Sequence, residues 1–269
     1  MLNLANSKQL TMPKLFWLFS LSLVAIGCGE RKSRSSESAS STNDDIMVVT
    51  GVLSLETELS GHQVSLFKIT EGKETELLLG PLMSETDGTY IFNVPLTGSV
   101  AIQEGEVLIT MSGAKDGAKT NMLWSYLKAN GVAETSNLNV LASIAYEIGV
   151  WEDDLKSVFT ANDRTADAFG LTGDTRRLEL LDPKNELVQR LGKIVSLVAK
   201  ESAASTGQVH KSIANDILDG TLDGIAAGTN VSLINIGLYA SVLVELKAVI
   251  AGSEPNLDAI RANIPVPSP

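Results

Sequence analysis

Thiols are nearly missing from this chain: Cys28 is the single cysteine among 269 residues. An internal disulfide is therefore excluded, and so is a cysteine-based zinc centre. Histidine is almost as scarce. His62 sits in a turn beside Gly61 and His210 in a polar helix start, and neither has the H-E-x-x-H spacing of a zinc hydrolase. The sequence holds no G-x-S-x-G elbow, no P-loop and no G-x-G-x-x-G turn. Positive charge is the minority, with 21 Lys and Arg against 32 Asp and Glu and a net charge of -11. The first 27 residues hold Lys8 and Lys14 and no acid, so the chain from Cys28 onward stands at -13 once those two charges are removed. Such a body repels phosphate backbones and offers no basic stripe, so nucleic acid is not an expected partner. Aromatics make up 5%, with ten in the 242 residues from Cys28 on, too few for an obvious sugar-stacking platform. Trp124 and Trp151 are the best candidates for one, and core positions are the simpler reading of both.

Long apolar runs are also absent. Residues 15–27, LFWLFSLSLVAIG, are thirteen residues without charge, whereas a bilayer-spanning helix needs about 20. Residues 231–250 are more apolar than anything else past the leader, but Asn235, Glu245 and Lys247 lie inside them. Each ion costs about 2.5–3.5 kcal/mol at the centre of a membrane helix. The stretch reads as a central helix buried by its neighbours.

What is present begins with a leader. Lys14 precedes the uncharged run and small residues close it, which is the layout of a secretory signal over residues 1–27. Met1 and Met12 both remain candidate starts. Ala25-Ile26-Gly27-Cys28 resembles the lipobox of bacterial lipoproteins. The resemblance implies that signal peptidase reads Ala25, Ile26 and Gly27. It also implies that the Cys28 sulfur takes a diacylglyceryl group and that the new amine is acylated, for instance by palmitate. Ala25 stands where that family more often has leucine. Gly29, which is not aspartate, implies sorting to the outer membrane. The alternatives are an ordinary signal peptide and a buried thiol acting as a small hydrophobe. One acyl chain binds a membrane marginally, and two or three hold it stably. Residues 28–45 then read as the lipidated cysteine and a flexible serine-rich tether, with Arg31, Lys32 and Arg34 close to the lipid. A basic residue there is worth about 1 kcal/mol on an anionic surface, and a solvated charge cluster is the equal alternative.

From Ile46 the pattern becomes short strands: IMVVTGVLSL, HQVSLFKIT, TELLLG, TYIFNV and EVLITM. Ser60-Gly61, Glu71-Gly72, Asp87-Gly88 and Glu104-Gly105 punctuate them. Phe67 interrupts strict alternation, which predicts a bulge or burial on both faces. This spacing predicts an antiparallel sandwich over 46–115. The segments V-T-G-V-L, S-G-H-Q-V-S-L-F and T-D-G-T-Y-I-F-N-V-P resemble the carboxypeptidase-regulatory-like, transthyretin-type β-sandwich, an immunoglobulin- or prealbumin-like fold. The resemblance implies that Gly51 relieves crowding, that Asp87 and Gly88 turn a hairpin, and that Tyr90 and Phe92 fill the core. It implies no activity.

Past residue 135 the apolar period moves to 3.6. Leu138, Leu141, Ala142, Ala145 and Ile148 share a face, as do Leu187, Leu191, Ile194, Val195 and Val198. Asp182-Pro183 is expected to open the second of these helices, Gly220 to end a third over 208–218, and a short helix to follow over 256–263. Residues 122–129, MLWSYLKA, are expected to form a further strand. N-L-N-V-L-A-S-I-A, A-N-D-R-T-A-D-A-F-G-L and D-I-L-D-G-T-L-D-G resemble a helical region recurrent in bacterial lipoproteins and secreted proteins of unassigned activity. The helical domain is placed at 116–264, and residues 265–269 form a proline-rich tail.

DILDGTLDG also offers Asp216, Asp219 and Asp223 as calcium ligands. Their spacing of three and four lacks the alternation and terminal glutamate of an EF-hand, and successive turns explain the same residues. Trp151-Glu152-Asp153-Asp154 reads as the first turn of a helix, where acids favour the macrodipole. The expectation is an α+β multidomain protein: an N-terminal antiparallel β-sandwich followed by an α-helical bundle. The expected role is that of a lipid-anchored cell-envelope protein with a non-catalytic binding, scaffolding or surface-structural function. Its expected partners are the membrane and another envelope protein. An envelope hydrolase using carboxylates unpaired in sequence and a calcium-binding surface module are the alternatives.

Overall fold

The computed structural model describes residues 45–53, 62–70, 73–99, 101–113, 122–152, 158–202, 204–224 and 234–265. Among them, seven strands come first and six α-helices follow, so the chain is α+β. The leader, Cys28 and its tether lie outside the described residues.

The strands are Ile46–Val52 (β1), Gln63–Thr70 (β2), Lys73–Met83 (β3), Thr89–Pro95 (β4), Val107–Ser112 (β5), Leu123–Lys128 (β6) and Ala133–Thr135 (β7). They make two sheets. One runs β4-β1-β7, with β1 antiparallel to β4 and parallel to β7; the other is antiparallel and runs β3-β2-β5-β6. Period-2 alternation sets which side chains enter the core. Met47 and Val49 of β1 and Tyr90, Phe92 and Val94 of β4 turn inward. There they share one apolar cluster with Val64 and Leu66 of β2, Leu108 of β5, and Leu123 and Leu127 of β6.

The opposite face of the four-stranded sheet supplies a second cluster. Phe67, Ile69, Ile109, Trp124 and Tyr126 meet the helices there. This accounts for Phe67. Val64 and Leu66 face one cluster, Phe67 and Ile69 face the other, and the β2–β3 register shifts between Leu66 and Phe67. A sheet buried on both sides loses simple alternation.

The helices are Val140–Trp151 (α1), Val158–Ala168 (α2), Glu186–Glu201 (α3), Thr206–Asp216 (α4), Ile236–Ile250 (α5) and Leu257–Arg261 (α6). Trp124 stacks on Tyr146 of α1 with ring centres 4.2 Å apart, which seats α1 on the sheet. Polar side chains start the helices. Asn139, Asn185, Asn235 and Asn256 cap α1, α3, α5 and α6, and Ser205 with Gln208 forms a capping box on α4.

Two helix starts differ from the sequence reading. α3 opens after Asn185, because the Asp182 carboxylate accepts the Lys184 N–H (2.8 Å) and closes a turn of its own first. Trp151 ends α1 and Glu152 caps that end, so this acidic stretch follows a helix terminus. The apolar face of α1 extends through Ile148, and Glu152 pairs with Arg164 of α2. The apolar stretch 231–250 also resolves locally. Asn235 caps α5, Lys247 is exposed, and buried Glu245 accepts the Asn256 N–H (2.6 Å). No helix among the described residues is long and apolar enough to cross a membrane.

Candidate functional site

Asn137 and Asn139 join the sheet to the helices. Asn137 Oδ1 accepts the Val52 N–H (3.0 Å), and its Nδ2 donates to the Leu180 and Leu181 carbonyls (3.2 Å each). Asn139 Oδ1 caps α1 through Ala142 N–H (2.9 Å) while its Nδ2 donates to the Leu178 carbonyl (2.8 Å). Each amide uses its donor and acceptor ends on different segments, so β1, α1 and the 178–181 turn are held in one arrangement.

An open cleft of about 730 Å³ lies beside this junction. Its apolar lining includes Val52, Leu53, Leu123, Val140, Leu180 and Val195. The polar lining includes Asp87 of the β3–β4 turn, Thr89 at the start of β4, Asp182 and Lys184 before α3, and Lys193 and Ser196 on α3. Gly192 of α3 also lines it, and a Cβ there would meet nothing within 4 Å. A helix-interior glycine that packing does not require leaves the cleft one side chain wider.

Most charged and polar groups of the cleft already hold the fold. Asp87 Oδ1 accepts from the Thr89 N–H (3.0 Å) and hydroxyl (2.7 Å). Those two bonds, backbone first, lower the Asp87 pKa, with a smaller pull from Lys184. Lys193 pairs with Glu254 (3.1 Å), and Thr206 Oγ1 accepts the Met122 N–H (3.0 Å). An apolar floor with a few polar groups at the rim suits ligand binding.

Several residues named from sequence fall elsewhere. Tyr90 and Phe92 are 2% and 3% exposed, with rings 5.9 Å apart edge to face. The Tyr90 hydroxyl donates to the Ser136 carbonyl, and a Cβ at Gly51 would collide with that carbonyl and with the Tyr90 ring. Gly88 turns the hairpin at φ +84°, a left-handed value that favours glycine. Trp124 belongs to the core beneath α1. His62 is buried, its backbone N–H donating to Ser84 Oγ (3.2 Å). Cys28, Ala25, Ile26 and Gly27 lie outside the described residues.

The three aspartates sit in successive turns. Asp216 Oδ1 accepts the Asp223 (3.2 Å) and Gly224 (2.7 Å) N–H groups, and its Oδ2 accepts the Tyr239 hydroxyl (2.8 Å). Burial raises its pKa against these bonds. Asp219 Oδ1 takes the Thr221 N–H and hydroxyl. Among the described residues no group of three or more His, Cys, Asp or Glu gathers to hold a metal.

A buried polar cluster around Glu179 escaped the sequence reading, and His210, expected in a polar helix start, is buried instead. Glu179 is buried, bonded by Asn162 Nδ2 (3.2 Å) and Arg177 Nε (2.9 Å), and the hydroxyl of nearby Tyr126 has no hydrogen-bond partner among the described residues. Burial raises the Tyr126 pKa well above its usual value, and Glu179 adds to the rise. His210 is fully buried in α4 with neither ring nitrogen partnered among the described residues, and burial lowers its pKa to about 3. The Glu179 cluster shows no motif, because it is assembled from separate elements.

No family model and no curated protein matches the chain. Among solved structures it is similar to a 9R-lipoxygenase from Cyanothece PCC8801, at 10% identity and a TM-score of 0.24. That similarity covers 63% of this chain and 30% of the lipoxygenase, so this chain spans under a third of that protein, and so low a score carries no statement about fold or activity.

Proposed function

We propose that this is an exported, lipid-anchored cell-envelope protein, sorted to the outer membrane, whose body carries a non-catalytic binding cleft. The uncharged run 15–27 ending in Ala25-Ile26-Gly27-Cys28 carries the reading, with the serine-rich tether after it. Two or three acyl chains on one residue anchor a protein stably. The body is a prealbumin-type β-sandwich with a helical layer on one sheet, supported by the cluster shared between the sheets and the sandwich-like motifs around Gly51 and Tyr90. The cleft supports binding because its ionic groups serve turns and ion pairs. The chemistry of its lining suits a ligand with an apolar body and polar ends, such as a segment of another envelope protein.

Cys28→Ser tests the anchor. The variant is expected to leave the membrane fraction and to lose incorporation of labelled palmitate, with the melting temperature of the body unchanged. A variant that still sediments with membranes after a salt wash overturns the reading.

A hydrolase is the second reading, because Asp87 and Asp182 both line the cleft. Its Asp87 is held ionised, so that residue could serve as base or nucleophile and not as acid. Loss of a measured hydrolytic activity in Asp182→Asn, with folding intact, would favour it.

A further inference from the structure

The outward face of the β4-β1-β7 sheet carries no charge between Ile46 and Thr50, and its far end, at Val52 and Thr89, opens into the cleft beside Asp87, Asp182 and Lys184. Val48, Thr50 and Val52 of β1 point there. They stand beside Asn93, Ile91 and Thr89 of β4 on one side, and Ala133 and Thr135 pair with Val48 and Thr50 from β7 on the other. Ile46 extends the face, and Ile46 and Ile91 are 45% and 60% exposed. Asp45 and Asp87 mark its two ends.

We infer that this face rests on the headgroup surface of the bilayer that holds Cys28; the inference depends on the lipid-anchor reading above. The described fold begins at Asp45, directly before the strand whose outward residues build the face. The 17 residues from 29 to 45 span about 20–25 Å root-mean-square as a coil. The tether therefore keeps this end of the body near the lipid. The chain from Cys28 on stands at -13, and an anionic leaflet repels acidic surface within a Debye length. An uncharged face approaches without that cost, and Ile46 and Ile91 can bury apolar surface on arrival.

Size selects the bilayer over a second copy of the chain. Strand spacing and rise give the face roughly 250–300 Å², well under the about 800 Å² per partner of a stable dimer. A tethered surface does not need such an area, because a short flexible linker supplies a millimolar effective concentration.

The test uses the mature lipidated protein in phosphatidylethanolamine–phosphatidylglycerol vesicles. With the Cys28 sulfur occupied by lipid, Ile91→Cys introduces the free thiol for an environment-sensitive fluorophore, and Val244→Cys on α5 is the control. Val244 is also exposed, at 63%. The label at 91 is expected to shift to the blue and to be quenched by spin-labelled lipid, and the label at 244 to do neither. Adding Ile46→Asp is expected to reduce quenching at 91 while the protein still floats with the vesicles. Equal signals at both sites, or none at 91 in floating protein, overturn the orientation and leave the anchor intact. Protein that does not float overturns both.

Discussion

Single residues in this protein are held by partners far away in sequence. Asn137 is the clearest case. It bonds Val52, 85 residues away, and the 180–181 backbone besides. Replacing it by alanine leaves one N–H and two carbonyls unpaired, and each buried orphan costs about 1–3 kcal/mol. Asn185→Ala removes only a helix cap, worth about 1 kcal/mol. Urea unfolding is therefore expected to show Asn137→Ala losing clearly more stability than Asn185→Ala; equal losses would remove Asn137 from its place at the junction. Tyr90→Ala is expected to cost about 3–5 kcal/mol, the usual range for a truncated core aromatic. Tyr90→Phe is expected to cost less, because the ring stays and only the hydrogen bonds of its hydroxyl are lost. A parent-like melting temperature for Tyr90→Ala would contradict the buried ring.

Among the elements, α3 carries the sharpest prediction. Its apolar side packs Val188, Leu191, Ile194, Val195 and Val198 into the core, while Gly192 faces the cleft. An interior glycine costs a helix about 1 kcal/mol relative to alanine. A methyl group at that position would meet no atom within 4 Å, so Gly192→Ala is expected to raise the melting temperature. A lower value would mean that the helix backbone is approached more closely than the open cleft allows. The same helix shows where strand and helix patterns are legible. Leucine and valine at steps of three and four mark its inner face, and Asn185 marks its start only through local hydrogen bonds to Leu187 and Val188. Asp182-Pro183 looks like a start in sequence because aspartate and proline favour both turns and first helical turns.

At the scale of the whole molecule, acid is expected to destabilise the fold in two stages. His210 has a usual value of 6.5 and is lowered to about 3 by burial. The unfolded chain therefore binds its proton first, and stability present above about 6.5 is lost as pH falls toward 3. Paired carboxylates such as Glu201 and Glu254, whose pKa values lie below the usual 4.5, weaken the fold only further down. Between pH 6.5 and 4.5 the histidine therefore lowers stability as acid is added, while Asp216 and Glu134, whose pKa values burial raises, act in the opposite sense. His210→Leu is expected to flatten that interval. An unchanged slope would place the ring in contact with a group that accepts its proton.

By itself the sequence determined the kinds of element, most of their turns and the acidic balance. Apolar period and Gly, Pro, Asn and Asp chemistry act over a few residues, so they can be read in order. It also raised the expectation of a lipidated Cys28, which rests on chemistry before the fold begins. Only the tertiary structure decided that the four-stranded sheet is buried on both faces. The same is true of the bonding of Asp216 to Gly224 and Tyr239, and of the cleft bringing Val52, Asp87 and Gly192 together. The reason is physical: side-chain period records which way a residue faces, and nothing local records what it will meet there.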